Sequence, residues 1–288
     1  MDRRQYIALA GSSVTALAGC MTGNDEPPNS TTESPTPTPG GPVSASVGDT
    51  IVDTIAVTAV TAKQSVRYRT APDALGVTNP DERQFIFATV DASGVEGEIP
   101  AKDMFSLSFT DQEFTPVESS GDIRLQNVLH DRTPYDPPWA DDPPAVGFLM
   151  FDIPSSIEPE SASIVMNANR EINGISWAEW TLSSEHLDAI TPPYPDLSVG
   201  AIATPDQPID GSIPVTMHAQ NSGEADGVLR AAVNHTGPLY GADTWDIPVS
   251  SGERVEDKYS ISYDWGDASE IQFSIVWPDH NEQFSIQV

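Results

Sequence analysis

Cysteine is nearly absent, with one in 288 residues. A single thiol forms no internal disulfide and no multi-cysteine zinc or iron–sulfur site. Lysine is almost as scarce. Lys63, Lys102 and Lys258 are the only three among 13 basic residues, against 43 acidic ones, 26 of them aspartate. The net charge of −30 repels phosphate backbones and excludes nucleic acid as a partner. The five histidines, His130, His186, His218, His235 and His280, never fall within four residues of one another, so no helical zinc pair is present. A blue-copper site needs a thiolate beside two histidines, and the lone cysteine sits near the N-terminus at position 20. The serine-hydrolase patterns G-x-S-x-G and S-x-x-K are missing, as are G-x-G-x-x-G and the phosphate loop. The expectation is a non-catalytic protein with no cofactor. At 38% hydrophobic residues the chain still has enough apolar material to build folded cores.

What is present begins with the charge itself. Thirty excess negative charges destabilise a compact state by self-repulsion in dilute salt. At molar salt the Debye length falls to ~3 Å and that repulsion is screened. The acids are spread along the chain and do not form a tail of five or more. This Asp-rich, Lys-poor pattern resembles the proteins of halophilic archaea.

The first residues read as an address. Arg3 and Arg4 precede a modestly apolar run, residues 6–19. As a helix, 14 residues rise only ~21 Å, short of the ~30 Å hydrocarbon core. The segment 1–19 is therefore expected to be a signal peptide. Its paired arginines resemble a twin-arginine export signal. The run ends Leu17, Ala18, Gly19, Cys20, which resembles a lipobox. That resemblance implies cleavage before Cys20, lipidation of its thiol and anchoring on the extracytoplasmic face of the cell membrane. The mature chain then carries a charge of −31.

Residues 20–46 follow as an expected tether. Of the 26 residues after Cys20, 18 are Pro, Ser, Thr or Gly, too few of them apolar to offset ordering entropy. Proline stiffens such a linker to a reach between ~28 and ~80 Å. Asn29 starts one glycosylation sequon and Asn234 another.

Beyond the tether the apolar period is two. Ile213, Val215, Met217 and Ala219 alternate with polar or small residues, as do Leu229, Ala231 and Val233, then Ile271, Phe273, Ile275 and Trp277. Such alternation puts one face on a core and the other in water. Only residues 184–190 read as helix. The fold expected is all-β, with two immunoglobulin-like β-sandwiches at 47–187 and 197–288, joined by a proline-rich linker at 188–196. The first has strands near 50–62, 84–92, 104–110, 145–153, 161–167 and 175–182. The second has seven, near 197–203, 213–219, 228–235, 245–249, 255–263, 271–277 and 284–288.

In the first region, Gly48-Asp49-Thr50, the run from Gln84 to Val90, Phe105-Ser106-Leu107-Ser108-Phe109 and Gly147-Phe148-Leu149-Met150-Phe151-Asp152-Ile153-Pro154 resemble the telokin-like immunoglobulin domains of prokaryotic lipoproteins. In the second, Pro195-Asp196-Leu197-Ser198-Val199 and Ala219-Gln220-Asn221-Ser222-Gly223 are similar to the adhesion-related repeats called CARDB. Neither family carries a catalytic residue to transfer. The resemblances imply a cell-surface lipoprotein with an interaction, adhesion or envelope-structural role and a protein or cell-envelope partner.

The loop 130–144 has two readings. Asp131, Asp136, Asp141 and Asp142 are hard oxygen ligands suited to Ca²⁺, which makes an ion or small-solute module the alternative function; otherwise the loop is a solvated acidic surface. Tyr135 and Trp139 within it either contact a partner or sugar or close over the sandwich end. Trp177, Trp180, Trp245, Trp265 and Trp277 are expected to pack in cores or between modules, the alternative being a ligand platform. The charge reading predicts that dialysis from molar to 50 mM salt unfolds the protein. Circular dichroism and the melting temperature check this, and an unchanged spectrum and Tm in low salt overturn it.

Overall fold

The computed structural model describes residues 43–52, 54–79, 82–236, 240–262, 266–278 and 280–288. Arg3, Arg4, Leu17, Ala18, Gly19, Cys20, Asn29, Tyr263 and Trp265 lie outside the described residues. In chain order the strands are β1 (Val43–Ser46), β2 (Thr50–Ile51), β3 (Ile55–Lys63), β4 (Val66–Ala71), β5 (Ala74–Thr78), β6 (Arg83–Asp91), β7 (Phe105–Phe109), β8 (Glu113–Phe114), β9 (Ser119–Ser120), β10 (Ile123–Arg124), β11 (Val146–Pro154), β12 (Ala162–Ile172) and β13 (Ile175–Thr181). The helix α1 (Ser184–Ile190) follows. Then come β14 (Leu197–Ala203), β15 (Ile213–Asn221), β16 (Gly227–Thr236), β17 (Tyr240–Val249), β18 (Arg254–Ile261), β19 (Glu270–Trp277) and β20 (His280–Gln287).

The protein is all-β, built as layered sheets. The sheet β1-β13-β12-β7-β8 faces the sheet β11-β6-β3-β2. Between them lie Phe105, Leu107, Ile164, Met166, Trp180, Ile86, Val90, Leu149 and Phe151, all buried in one apolar cluster. Trp180 is wholly enclosed there, and its indole N–H donates to the Asp49 carbonyl at 3.2 Å, which satisfies the one polar atom such a ring brings inside. A second pair, β14-β15-β18 and β17-β16-β19-β20, encloses Ile213, Val215, Met217, Ala219, Leu229, Val233, Trp245, Phe273 and Ile275. The inward positions of β15 and β16 are those that the alternation marks.

Four expectations change. The tether reading runs too far, because Val43–Ser46 forms β1 and pairs in parallel with β13 at residues 178–181. Val43 and Ala45 pack against the first core, and that burial holds the last expected tether residues in a strand. The single strand near 50–62 is broken into β2 and β3, with a register shift between Val57 and Ala59.

The one-face rule also fails for β6 and β11. Ile86, Ala88, Val90, Leu149, Phe151 and Ile153 face the first core, while Phe85, Phe87, Phe148 and Met150 are buried on the opposite face. Ile123, Leu125, Val128 and Val66 cover that second face. A strand buried on both sides reads as a continuous apolar run, which is how residues 85–88 and 148–151 read.

Finally, the expected linker 188–196 is pinned to the first sandwich. Its opening residues end α1, which is capped by Ser183 and His186 in a reciprocal box. Ile190 is buried in the first core. The wholly buried Gln84 side chain donates to the Ile190 carbonyl at 2.7 Å and to the Tyr194 hydroxyl at 2.9 Å. Tyr194 donates to the Ser155 carbonyl at 2.8 Å. On the other side, a Cβ at Gly223 would come within 2.4 Å of the Tyr194 carbonyl and the Asp196 nitrogen, so only glycine lets that turn close on the linker. Both sandwiches lie within one compact unit.

On the outer face of β6 and β11, His130 stacks on Phe87 with ring centroids 5.2 Å apart and lies 4.4 Å from Phe148. Burial lowers its pKa below the ordinary histidine value, against the opposing pull of Asp131 at 2.7 Å. Burial lowers His235 in the same way, opposed by Asp243. A folded-state pKa below the unfolded ~6.5 means that the unfolded chain binds protons first. The stability tied to neutral His130 is thus complete above about pH 6.5 and is lost as pH falls from there toward the depressed value. At constant molar salt, Tm is expected to drop between about pH 7.5 and 5.5, and His130→Phe to flatten that drop. An identical slope in the variant would remove His130 as its source.

Candidate functional site

Strands β4 and β5 form a hairpin that leaves the first sandwich and lies on the second. Its local cause is plain in the chain: alternating residues 66–70, then Pro72 and Asp73 at the turn. Leu75 and Val77 pack with Ala232, and with the half-buried Ala242 and Val276, on the outer face of β16, β17 and β19. That face is the one the alternation assigns to water. It is covered because Ala232 is small and Asn234 can pair with a strand.

The Leu75 amide donates to the Asn234 side-chain oxygen at 2.8 Å, and the Asn234 side-chain nitrogen donates to the Leu75 carbonyl at 2.9 Å. The asparagine thereby mimics a neighbouring strand. The expectation of a glycosylated Asn234 is corrected here. Its side chain is buried and its amide nitrogen already committed, leaving no access for a sugar.

Arg67 carries the charged part of the junction. Its Nε donates to the Ala231 carbonyl at 2.8 Å and its Nη2 to the Trp245 carbonyl at 2.7 Å. The same Nη2 pairs with the Asp246 carboxylate. One guanidinium thus holds two facing strands of the other sandwich. Arg230 answers from the second side, donating to the Ser65 hydroxyl at 3.3 Å. The Lys63 ammonium sits 5.2 Å from the Phe87 ring centroid, and burial lowers its pKa, with Arg230 adding to the effect.

Below the hairpin opens a cleft of about 850 Å³, lined by β4, β5, the β9–β10 turn and residues of the second sandwich. Tyr68 lies against Gly76, where a Cβ would meet its ring carbons at 2.8 Å. Arg83 Nε pairs with Asp152 Oδ1 at 2.5 Å, and Ser120 donates to Asp152 Oδ2 at 2.6 Å. Asp122, His280 and Asn281 line the cleft as well. The lining thus sets hydrogen-bonding side chains beside the Tyr68 ring.

The acidic loop 130–144 is arranged otherwise than a cation cage. Asp131 pairs with His130, and Asp136 Oδ2 accepts from the Lys102 amide at 2.9 Å. Asp141 and Asp142 are exposed. Among the described residues, no three His, Cys, Asp or Glu are placed to hold a metal ion, so the structure does not bring the four aspartates together. The loop is instead fastened to the edge of β11. Tyr135 donates its amide to the Phe148 carbonyl at 2.9 Å, and Phe148 donates to the Thr133 carbonyl at 3.0 Å. A Cβ at Gly147 would come within 2.7 Å of the Tyr135 backbone, so glycine is what permits the approach. The two loop aromatics part company. Tyr135 is wholly buried, its hydroxyl donating to the Pro100 carbonyl at 2.9 Å, and burial raises its pKa. Trp139 stays 49% exposed. Trp245 is buried with its N–H on Asp257 at 2.7 Å, and Trp177 and Trp277 are half-buried. No helix among the described residues is long and apolar enough to cross a membrane.

No family model and no curated protein matches the chain. Among solved structures it is similar to a β-glucosidase from Erythrobacter marinus, at 12% identity over 32% of this chain and 15% of the enzyme, TM-score 0.27. A β-glucosidase from Streptomyces venezuelae shows 10% identity over 42% of this chain and 20% of the enzyme, TM-score 0.26. The β-glucuronidase of Ruminococcus gnavus shows 10% identity over 80% of this chain and 45% of the enzyme, TM-score 0.17. The chain spans less than half the length of each, and likenesses this low carry no argument about fold or activity.

Arg67, Tyr68, Arg83 and Ser120 went unmarked in the sequence reading. The signal for the first two was the alternation from Val66 to Thr70 ahead of a Pro-Asp turn. Arg67→Ala leaves two carbonyls and a carboxylate without their cation. It is expected to cost about 2–3 kcal/mol in a denaturant titration at molar salt and to expose 66–78 to limited proteolysis. Arg67→Lys, with a single ammonium, is expected to recover less than half of the loss. A variant as stable and protease-resistant as the parent overturns the clamp.

Proposed function

We propose that the protein is a lipid-anchored lipoprotein of the extracytoplasmic membrane face, with a non-catalytic interaction, adhesion or envelope-structural role. On this reading the leader 1–19 is removed after twin-arginine export and Cys20 bears the lipid. The tether then lifts two immunoglobulin-like sandwiches, one telokin-like and one CARDB-like, away from the bilayer. A cell-envelope component is the partner.

The observation that supports the interaction role is the seam. A protein that only needed two sandwiches on a string has no use for Arg67 and Asn234, which bind one sandwich to the main chain of the other. Stitching them presents one surface whose cleft draws on both, and recognition sites favour such junctions. A binding surface held in place loses less entropy on association than one assembled from a flexing pair.

Native protein and a Cys20→Ser variant separate the parts of the reading. The expected native mass is that of a chain starting at Cys20 plus lipid, partitioning into detergent, and the variant is expected to stay in the aqueous phase. The aqueous variant is expected to co-sediment with washed cell envelopes at molar salt. A soluble, unmodified native protein overturns the anchor. Failure to co-sediment overturns the interaction role.

A further inference from the structure

The cleft under the hairpin has a chemistry of its own, and we infer that it is a binding site for a neutral saccharide. The inference rests on the interaction reading above and names the class of ligand its cleft would take. A hexose presents a flat C–H face and a rim of hydroxyls, each both donor and acceptor. Its complement is an aromatic ring beside groups that also donate and accept. Here the ring is Tyr68, held against Gly76 at a distance that leaves no space for a Cβ. The polar rim is a connected set. Ser120 and Arg83 both bond the carboxylate of Asp152, at 2.6 and 2.5 Å, and Arg83 Nη2 also donates to the Asp152 carbonyl at 2.8 Å. Groups fixed by one another in this way are oriented before any ligand arrives.

Two further features narrow the class. The cleft is close to electrically balanced in a chain of charge −30, because Asp152 neutralises Arg83 and leaves Asp122 as the only unpaired carboxylate of the lining. An anionic ligand finds no spare cation there, whereas hydroxyls can donate to Asp122. Among the described residues neither the Tyr68 hydroxyl nor the Asp122 carboxylate has a hydrogen-bond partner within the chain. An extended peptide is the poorer fit. It would add along a strand edge through main-chain groups, and at Leu75, on the cleft wall, both the amide and the carbonyl are occupied by Asn234. The size, about 850 Å³, falls within the ~300–1,000 Å³ of small-molecule sites.

The test is saturation-transfer NMR on the full chain at molar salt in a detergent without sugar headgroups. The probes are glucose, galactose, mannose and N-acetylglucosamine, as monomers and short linear oligomers, with glucuronate as the charged control. At least one neutral probe is expected to receive saturation and to titrate. Tyr68→Ala and Asp122→Ala are each expected to weaken it tenfold or more. Asp122 is exposed, so its variant keeps the fold even if Tyr68→Ala does not. No transfer to any neutral probe overturns the inference, as does a preference for glucuronate or binding untouched by Asp122→Ala. If envelopes are still bound while every sugar fails, only the saccharide is lost. If the Cys20→Ser chain binds neither, the interaction reading falls with it. Cleavage of an oligomer probe would overturn the non-catalytic role.

Discussion

One guanidinium supplies the charged part of the seam that joins the two sandwiches. Arg67 leaves the β4–β5 hairpin, is largely removed from solvent, and meets two backbone carbonyls on neighbouring strands as well as a carboxylate. Ala231 and Trp245 are paired across β16 and β17, and the arginine adds charge-assisted bonds to their carbonyls. The rest of the junction follows from the placement this enforces. Leu75 and Val77 reach the shallow face over Ala232, Asn234 meets the Leu75 backbone, and the cleft acquires a roof.

The same junction explains where scarce positive charge goes. Of 13 basic residues, Lys63, Arg67 and Arg230 crowd onto the seam. Burial is the main cause that disfavours the charge on Lys63, and Arg230 and, less so, Arg67 add to it. In a chain with so many acids, the surface gains nothing in solubility from these cations, whereas the seam uses their hydrogen-bond donors and the aromatic face of Phe87. Elsewhere basic residues act singly, as Arg83 does with Asp152 and Lys102 with Glu118.

What the sequence made legible was local. The inward positions of β15, the short helix at Ser184–Ile190 and the all-β class follow from local side-chain pattern. What it hid was long-range. Phe85 and Phe87 belong to an apolar run that states burial on two faces without saying what covers the second. Arg230, Ala232 and Asn234 alternate as a solvent face would, and only the arrival of a hairpin from some 160 residues earlier makes them an interface. The acidic loop admits both a ligand shell and a solvated surface by sequence, because four aspartates close in sequence do not say where each one points; among the described residues they are not brought together. Legibility ended where a residue's neighbour is chosen by topology.

Strand β1 gives the fold a mechanical property. Val43–Ser46 lies parallel to the edge of β13, in register from Val43 with Ala178 to Ser46 with Thr181. Tension applied ahead of Val43 and directed along the strand loads those rungs side by side, so they must yield together. An antiparallel end strand peeled back from its tip gives way one rung at a time. The first sandwich therefore takes up a pull on its N-terminal side in shear, with Val43 and Ala45 seated on the core behind it. A chain entering the fold this way can be tugged without being unzipped.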